Sequence, residues 1–306
     1  MKYRRIAVLM GGMSSEREVS LASGEAVARG LEESGYEVVR IDAGRDVDRR
    51  VREAAPDAAY VALHGRWGED GIVQGLLEML GVPYTGSSVL ASALAMDKVL
   101  SRTVFAAGGI PVAPGTVLGA GDSPRLPDGV DFPVVVKPAD GGSSVGVAIV
   151  RDSGELAAAT EAARRHSDRA LVESLIEGAE INVAVLDGEV LGSVEIVPNA
   201  GEFYDYASKY DEGGSTHHVP PRLSEQKVAR LERIGLAAYD SLGCRGAARV
   251  DLMVPDRGDP AVLEVNTIPG MTDTSLLPEI AAHRGISFPR LVARIVEGAR
   301  LHLEKG

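Results

Sequence analysis

Residues 247–266 read Ala-Ala-Arg249-Val-Asp251-Leu-Met-Val-Pro-Asp-Arg-Gly-Asp-Pro-Ala-Val-Leu-Glu264-Val-Asn266. Over 248–253 polar and apolar residues alternate, so Arg249 and Asp251 point from one face of a strand. The 263–266 stretch repeats the pattern for Glu264 and Asn266, and the turn residues between Pro255 and Pro260 predict that the two strands are antiparallel neighbours. Two carboxylates and an amide oxygen would then share a face, a donor set suited to Mg2+ bridging phosphates. Arg249 beside them could stabilise developing negative charge. The spacing alone fits an ordinary solvated sheet face as well.

The antiparallel pattern begins near Glu180, where 182–186 and 190–196 flank Asp187-Gly188, a strong hairpin signal. Residues 199–221 are polar and aperiodic, which predicts a functional lid, with His217 and His218 as solvated lid residues. Helices are expected at about 224–242 and 288–303. Upstream, 97–107 reads as a helix stopped by Gly108-Gly109 and Pro111. Strands at 133–137 and 146–150 enclose a glycine-serine loop; a helix at 155–165 and a strand at 170–173 complete a small α+β unit. The first part differs. The apolar run 6–10 reads as a buried parallel strand, and Ser15 with Glu18 spells a capping box for a helix reaching Gly35. Strands at 38–41 and 60–63 and a helix at 72–80 make this a parallel α/β unit. The expected division is therefore 1–95, 96–178 and 179–306, with the lid in the third part.

Composition limits the partners. The formal net charge of −12 argues against nucleic acid or an anionic membrane, both of which reward a basic face. A lone Cys244 allows no intrachain disulfide and is expected as a buried structural thiol in a reducing compartment. No run of about 18 apolar residues occurs, so a soluble cytoplasmic protein is expected.

The loop Lys137-Pro-Ala-Asp-Gly141-Gly142-Ser143-Ser-Val-Gly146 brings glycines, whose backbone N–H groups can approach phosphate oxygens, together with a lysine at a strand end. It is neither a Walker loop nor a dinucleotide fingerprint, and a purely structural hairpin remains open. Taken in order, this loop, Asp251 and Glu264-Val-Asn266-Thr-Ile-Pro-Gly-Met-Thr resemble the ATP-grasp ligases, and within them the D-alanine–D-alanine ligase family. His64-Gly-Arg-Trp-Gly-Glu-Asp-Gly, Tyr84-Thr-Gly-Ser, Met96-Asp-Lys98, Ser15-Glu16-Arg-Glu-Val-Ser and Phe203-Tyr-Asp-Tyr-Ala-Ser-Lys209-Tyr210 extend the match over about residues 6–276.

The resemblance implies an ATP-grasp fold: a parallel α/β domain followed by two α+β lobes that sandwich ATP. It implies ligation of two D-alanines through an acyl phosphate, releasing ADP and phosphate, for peptidoglycan precursor synthesis. Asp251, Glu264 and Asn266 would hold two Mg2+ ions, with Mn2+ able to substitute. Lys98 and Lys137 would bind phosphates, the hinge at Glu173 and Leu175 the adenine, and Glu180 the ribose. Glu16, Ser143 and Tyr210 would form a triad that closes the lid over the first D-alanine. His64, Lys209, Ser275 and Leu276 would lie against the substrate carboxylates, and Arg249 with the Gly270 backbone N–H would form an oxyanion hole. A homodimer is expected. The rivals are a D-lactate acceptor, against which Tyr210 speaks, and a nicotinamide oxidoreductase, against which the lack of Gly-x-Gly-x-x-Gly after the first strand speaks.

Overall fold

The computed structural model describes residues 1–142, 145–199 and 214–303. Strand β1 (Arg5–Met10) has five consecutive buried residues, as a strand covered on both faces must. It runs parallel between β2 (Glu37–Asp42) and β3 (Ala58–Val61), giving the order β2-β1-β3. Helix α1 (Arg17–Glu33) buries Val27, Ala28 and Leu31 against this sheet. The helix opens differently from the expectation. Glu16, not Ser15, occupies the cap position, and no side chain caps the helix. Ser14 takes over locally: its hydroxyl accepts from the Glu16 N–H (3.1 Å) and donates to the His64 carbonyl (2.7 Å).

Helix α2 (Val47–Ala54), absent from the sequence reading, precedes β3. Helix α3 (Ile72–Leu80) has the expected bounds, because Gly71 and Gly81 at its ends both adopt positive φ. Helices α4 (Val89–Met96) and α5 (Lys98–Ala107) lead into the next part. Asp97 caps α5, accepting from the N–H groups of Val99 and Leu100 at 3.0 Å each.

A four-stranded antiparallel sheet follows, in the order β4-β7-β5-β6. Its strands are β4 (Gly115–Leu118), β5 (Val134–Pro138), β6 (Ala148–Val150) and β7 (Ala170–Ser174), backed by α6 (Ser153–Arg164). The glycine loop joins β5 to β6 as a hairpin, with Val134 opposite Val150. A five-stranded antiparallel sheet comes next, in the order β10-β9-β8-β11-β12. It comprises β8 (Ala179–Leu186), β9 (Glu189–Pro198), β10 (Ser215–His218), β11 (Ala247–Val254) and β12 (Ala261–Asn266). Asp187 and Gly188 have φ of 50° and 81°, the double positive turn the hairpin needs. Helix α7 (Glu225–Ser241) covers one face, with Ser224 capping it through the Lys227 N–H.

His217 and His218 are not freely solvated, contrary to the expectation from sequence. They lie in β10 and are half-buried, and His217 Nδ1 stands 2.6 Å from Glu279 of α8 (Leu276–His283). The last helix, α9 (Phe288–Glu297), also ends earlier than expected, because Gly298 breaks it and the chain turns back to pair Arg300 with Tyr84. Helix α9 packs on α1, so Leu291, Val292, Ile295 and Val296 share one core with Ile6, Val8 and Leu31. The end of the chain thereby ties the five-stranded sheet to the parallel one.

Candidate active site

The two antiparallel sheets face each other across a cleft of about 510 Å³, within the range of a drug-sized or nucleotide-sized ligand. One wall carries Val135 and Lys137 of β5, Ile149 of β6 and Glu173 of β7; the other carries Glu180, Ile196, Asp251, Met253 and Leu263. The hinge 174–178 closes one end, and Leu175 lines it. Glu173 is almost fully buried at its base, where it holds the Lys137 ammonium on one oxygen and the Arg102 guanidinium (2.7 Å) on the other. Arg102 also donates to the Ala113 carbonyl. Arg102 is absent from the sequence reading, although it lies one turn after Lys98 on α5 and so shares its face.

A smaller cavity of about 100 Å³ adjoins the cleft. Glu16, His64, Arg249, Gly270, Ser275 and Leu276 all line it, so six of the expected substrate-side residues converge from α1, the loop after β3, β11, the loop after β12 and the start of α8. Close approach explains two glycines. A Cβ on Gly142 would come within 2.9 Å of the Glu16 carboxylate, and one on Gly270 within 2.7 Å of the Ser275 hydroxyl. The glycine loop of the second part is thus pressed onto a carboxylate of the first. His64 is buried, with Nε2 3.2 Å from the Ser23 hydroxyl and Nδ1 3.6 Å from Glu69. Glu69 lines the same cavity and was not singled out from sequence. Ser275 is held by Thr272, whose N–H it accepts at 2.9 Å. Ser143, Lys209 and Tyr210 lie outside the described residues.

The two cavities meet. Lys98, Gly141, Gly142 and Glu264 line both. The Lys98 ammonium donates to the Gly141 carbonyl (2.7 Å) and pairs with Glu264 (3.1 Å), so one cation joins helix, loop and strand at the junction. Burial works against the charged Lys98, but the adjoining Glu264 carboxylate more than offsets it, and the lysine pKa is raised. Beside it, the expected register is present: Asp251 stands opposite Glu264, and Arg249 opposite Asn266. Arg249 grips Asp251 through two hydrogen bonds of 2.7 and 2.8 Å, and Asn266 accepts from the Ile268 N–H. Among the described residues no three His, Cys, Asp or Glu side chains cluster to hold a metal by themselves. Two carboxylates and an amide oxygen fit Mg2+ only with further oxygens from a ligand, which is how this ion usually sits among phosphates.

Sequence profiles described as "D-ala D-ala ligase C-terminus" and "D-ala D-ala ligase N-terminus" match residues 104–297 and 45–87. The chain belongs to the D-alanine–D-alanine ligase family. It is 52% identical over 303 residues to the D-alanine–D-alanine ligase of Citrifermentans bemidjiense, covering 99% of this chain and 98% of that one. With the enzyme of Geobacter sulfurreducens it shares 50% over 306 residues, covering 99% and 96%. The ligase of Bacillus anthracis, solved in complex with ATP, superposes with a TM-score of 0.83 at 38% identity, covering 96% of this chain and 97% of that one. The VanG D-Ala:D-Ser ligase of Enterococcus faecalis gives 0.81 at 29%, covering 96% and 98%. The fold is that of the ATP-grasp ligases, and the protein is a ligase.

Proposed function

We propose that this ligase joins two D-alanines, converting ATP to ADP and phosphate, as a step in peptidoglycan precursor synthesis. The observation that carries the reading is the junction of a nucleotide-sized cleft with a small polar cavity at Lys98, the glycine loop and Glu264. ATP would lie in the cleft, its adenine along Leu175 and Glu173, its ribose at Glu180, and its phosphates toward Lys137, Lys98 and the N–H groups of the loop. The carboxylate of the first D-alanine, its ammonium on Glu16, would attack the γ-phosphorus. The amine of the second, its carboxylate near Ser275, Leu276 and Lys209, would attack the resulting acyl phosphate, and phosphate would leave. Holding the partners in line supplies much of the rate. Arg249 and the Gly270 N–H would receive the negative charge of the tetrahedral intermediate. Asp251, Glu264 and Asn266 would hold two Mg2+ ions, or Mn2+ in their place, which neutralise phosphate charge when bound. Ser143 and Tyr210 would complete the closure with Glu16.

We assign the division 1–95, 96–178 and 179–306 to the three working parts and 199–221 to the lid. The proposed setting is the cytoplasm, without nucleic acid or membrane. Among the described residues no helix is long and apolar enough to cross a membrane. A homodimer is proposed on the exposed apolar side chains of Ile72 and Met79 on α3 and Leu90 on α4. The direct test is ADP release with D-alanine or L-alanine as substrate, together with the mass of the product. ADP and dipeptide in equal amounts with D-alanine alone are expected. ADP release that ignores D-alanine would overturn the proposal.

A further inference from the structure

Asn182 has no role in the scheme above, yet its position is unusual. It lies in the middle of β8, wholly buried, and its side-chain Oδ1 has no hydrogen-bond partner among the described residues. A buried amide oxygen without a donor costs stability, and an apolar side chain of the same shape would avoid that cost. The side-chain Nδ2 does have a place, donating to the Glu180 carboxylate at 3.4 Å. That contact fixes which way the amide faces, since a carboxylate accepts from the nitrogen and would repel the oxygen.

The register shows what the oxygen lies beside. Asn182 is directly opposite Asp251 across the β8–β11 ladder, as Asp251 is opposite Glu264 across β11–β12. Side chains so paired sit on one face with Cβ atoms about 4.5–5.5 Å apart. Asn182, Asp251 and Glu264 therefore form a row across three strands, with the orphaned oxygen at its inner end. The Asp251 carboxylate is paired with Arg249, and among the described residues nothing donates to the Asn182 oxygen.

We infer that Asn182 is a positioning residue for the cation at Asp251, its amide oxygen accepting from a water of that ion's coordination shell. The inference rests on the metal reading above. Mg2+ keeps several waters when bound by few carboxylates, and those waters need acceptors. Partners of this kind typically change metal affinity 10- to 100-fold when removed.

The test is calorimetric titration of ADP into the full chain, in EDTA and across a series of Mg2+ concentrations, for wild type, Asn182→Leu and Asn182→Thr. Wild type should bind ADP more tightly as Mg2+ rises. Asn182→Leu should bind metal-free ADP within about twofold of wild type but need roughly tenfold more Mg2+ for the same gain. Its melting temperature without nucleotide should stay close to that of wild type, because removal of the unsatisfied oxygen offsets loss of the long contact to Glu180. Asn182→Thr, which restores an acceptor, should recover most of the Mg2+ dependence. If wild type shows no Mg2+ dependence, the metal reading itself fails, and this inference with it. If wild type shows it and Asn182→Leu matches it, the inference alone is overturned. A loss of ADP affinity equal with and without Mg2+ also overturns it, since Asn182 would then act through Glu180 only.

Discussion

Charge counting at the base of the cleft leads to an unequal pair of mutants. Glu173 is 4% exposed and stands between Arg102 and Lys137, whose side chains are 12% and 8% exposed. The cluster holds two cations and one anion. Arg102→Met keeps the apolar stem and leaves Glu173 with Lys137 as a neutral pair. What is lost is the charged hydrogen bond to Glu173 and the one to the Ala113 carbonyl, each worth about 1.5–3 kcal/mol before the returned desolvation of the guanidinium. A net loss of about 2–4 kcal/mol is expected. Glu173→Gln keeps the shape but leaves two buried cations without their anion. Breaking a buried pair costs about 3–5 kcal/mol, and here two such pairs, to Arg102 and to Lys137, break at once. Glu173→Gln should therefore lose about 6 kcal/mol or more, clearly beyond Arg102→Met. Urea unfolding of the ligand-free proteins at neutral pH reads both. If Arg102→Met is as destabilised as Glu173→Gln, or if neither differs from wild type by more than about 0.5 kcal/mol, the cluster is not what holds the base of the cleft.

Three further outcomes follow from particular contacts. Glu264→Gln should fold yet lose more than about 90% of ADP release, since a metal clamp is worth several kcal/mol; near-normal turnover would remove Glu264 from the site. Arg222 donates to Glu195 through its backbone N–H and its guanidinium, holding that carboxyl below its ordinary 4.5. A depressed folded value stabilises above the unfolded pKa and is lost as pH falls through the folded one. Arg222→Ala should thus melt below wild type at pH 7, with the gap closing below about pH 4.5. A gap that does not begin to narrow as pH falls below about 4.5 would contradict that cause. Burial pushes the Cys244 thiol up to about 12, so it should stay unreactive to a disulfide reagent at pH 8 until urea unfolds the chain. Stoichiometric labelling of the native protein would show that the thiol is accessible.

The residues that announced themselves in the sequence did so through local rules. Alternation placed Asp251 and Glu264 on one face, and the Asp187-Gly188 turn set the hairpin before any contact was known. What stayed hidden lacked a local signature. Helix α2 has an apolar stripe of Val47, Val51 and Ala54, but it spans only eight residues, fewer than the roughly 11–18 over which helical periodicity is read. Helix α4 is apolar nearly all round and therefore has no period to detect. Strand β10 is a polar edge strand, Ser-Thr-His-His, defined only by its pairing with β9. In the site, Arg102 meets Glu173 across 71 residues of sequence, and Asn182 gains meaning only beside Asp251. Such partnerships are properties of the folded sheet pair rather than of any window of sequence.

The most direct test of the acyl phosphate route uses D-alanine labelled with 18O in both carboxylate oxygens, supplied with unlabelled ATP and Mg2+. Attack by that carboxylate on the γ-phosphorus leaves one of its oxygens bridging carbon and phosphorus, and the second amine expels it with the phosphate. Mass spectrometry of the released phosphate should show one 18O for each D-alanyl-D-alanine formed. Dipeptide accompanied by unlabelled phosphate would contradict the account.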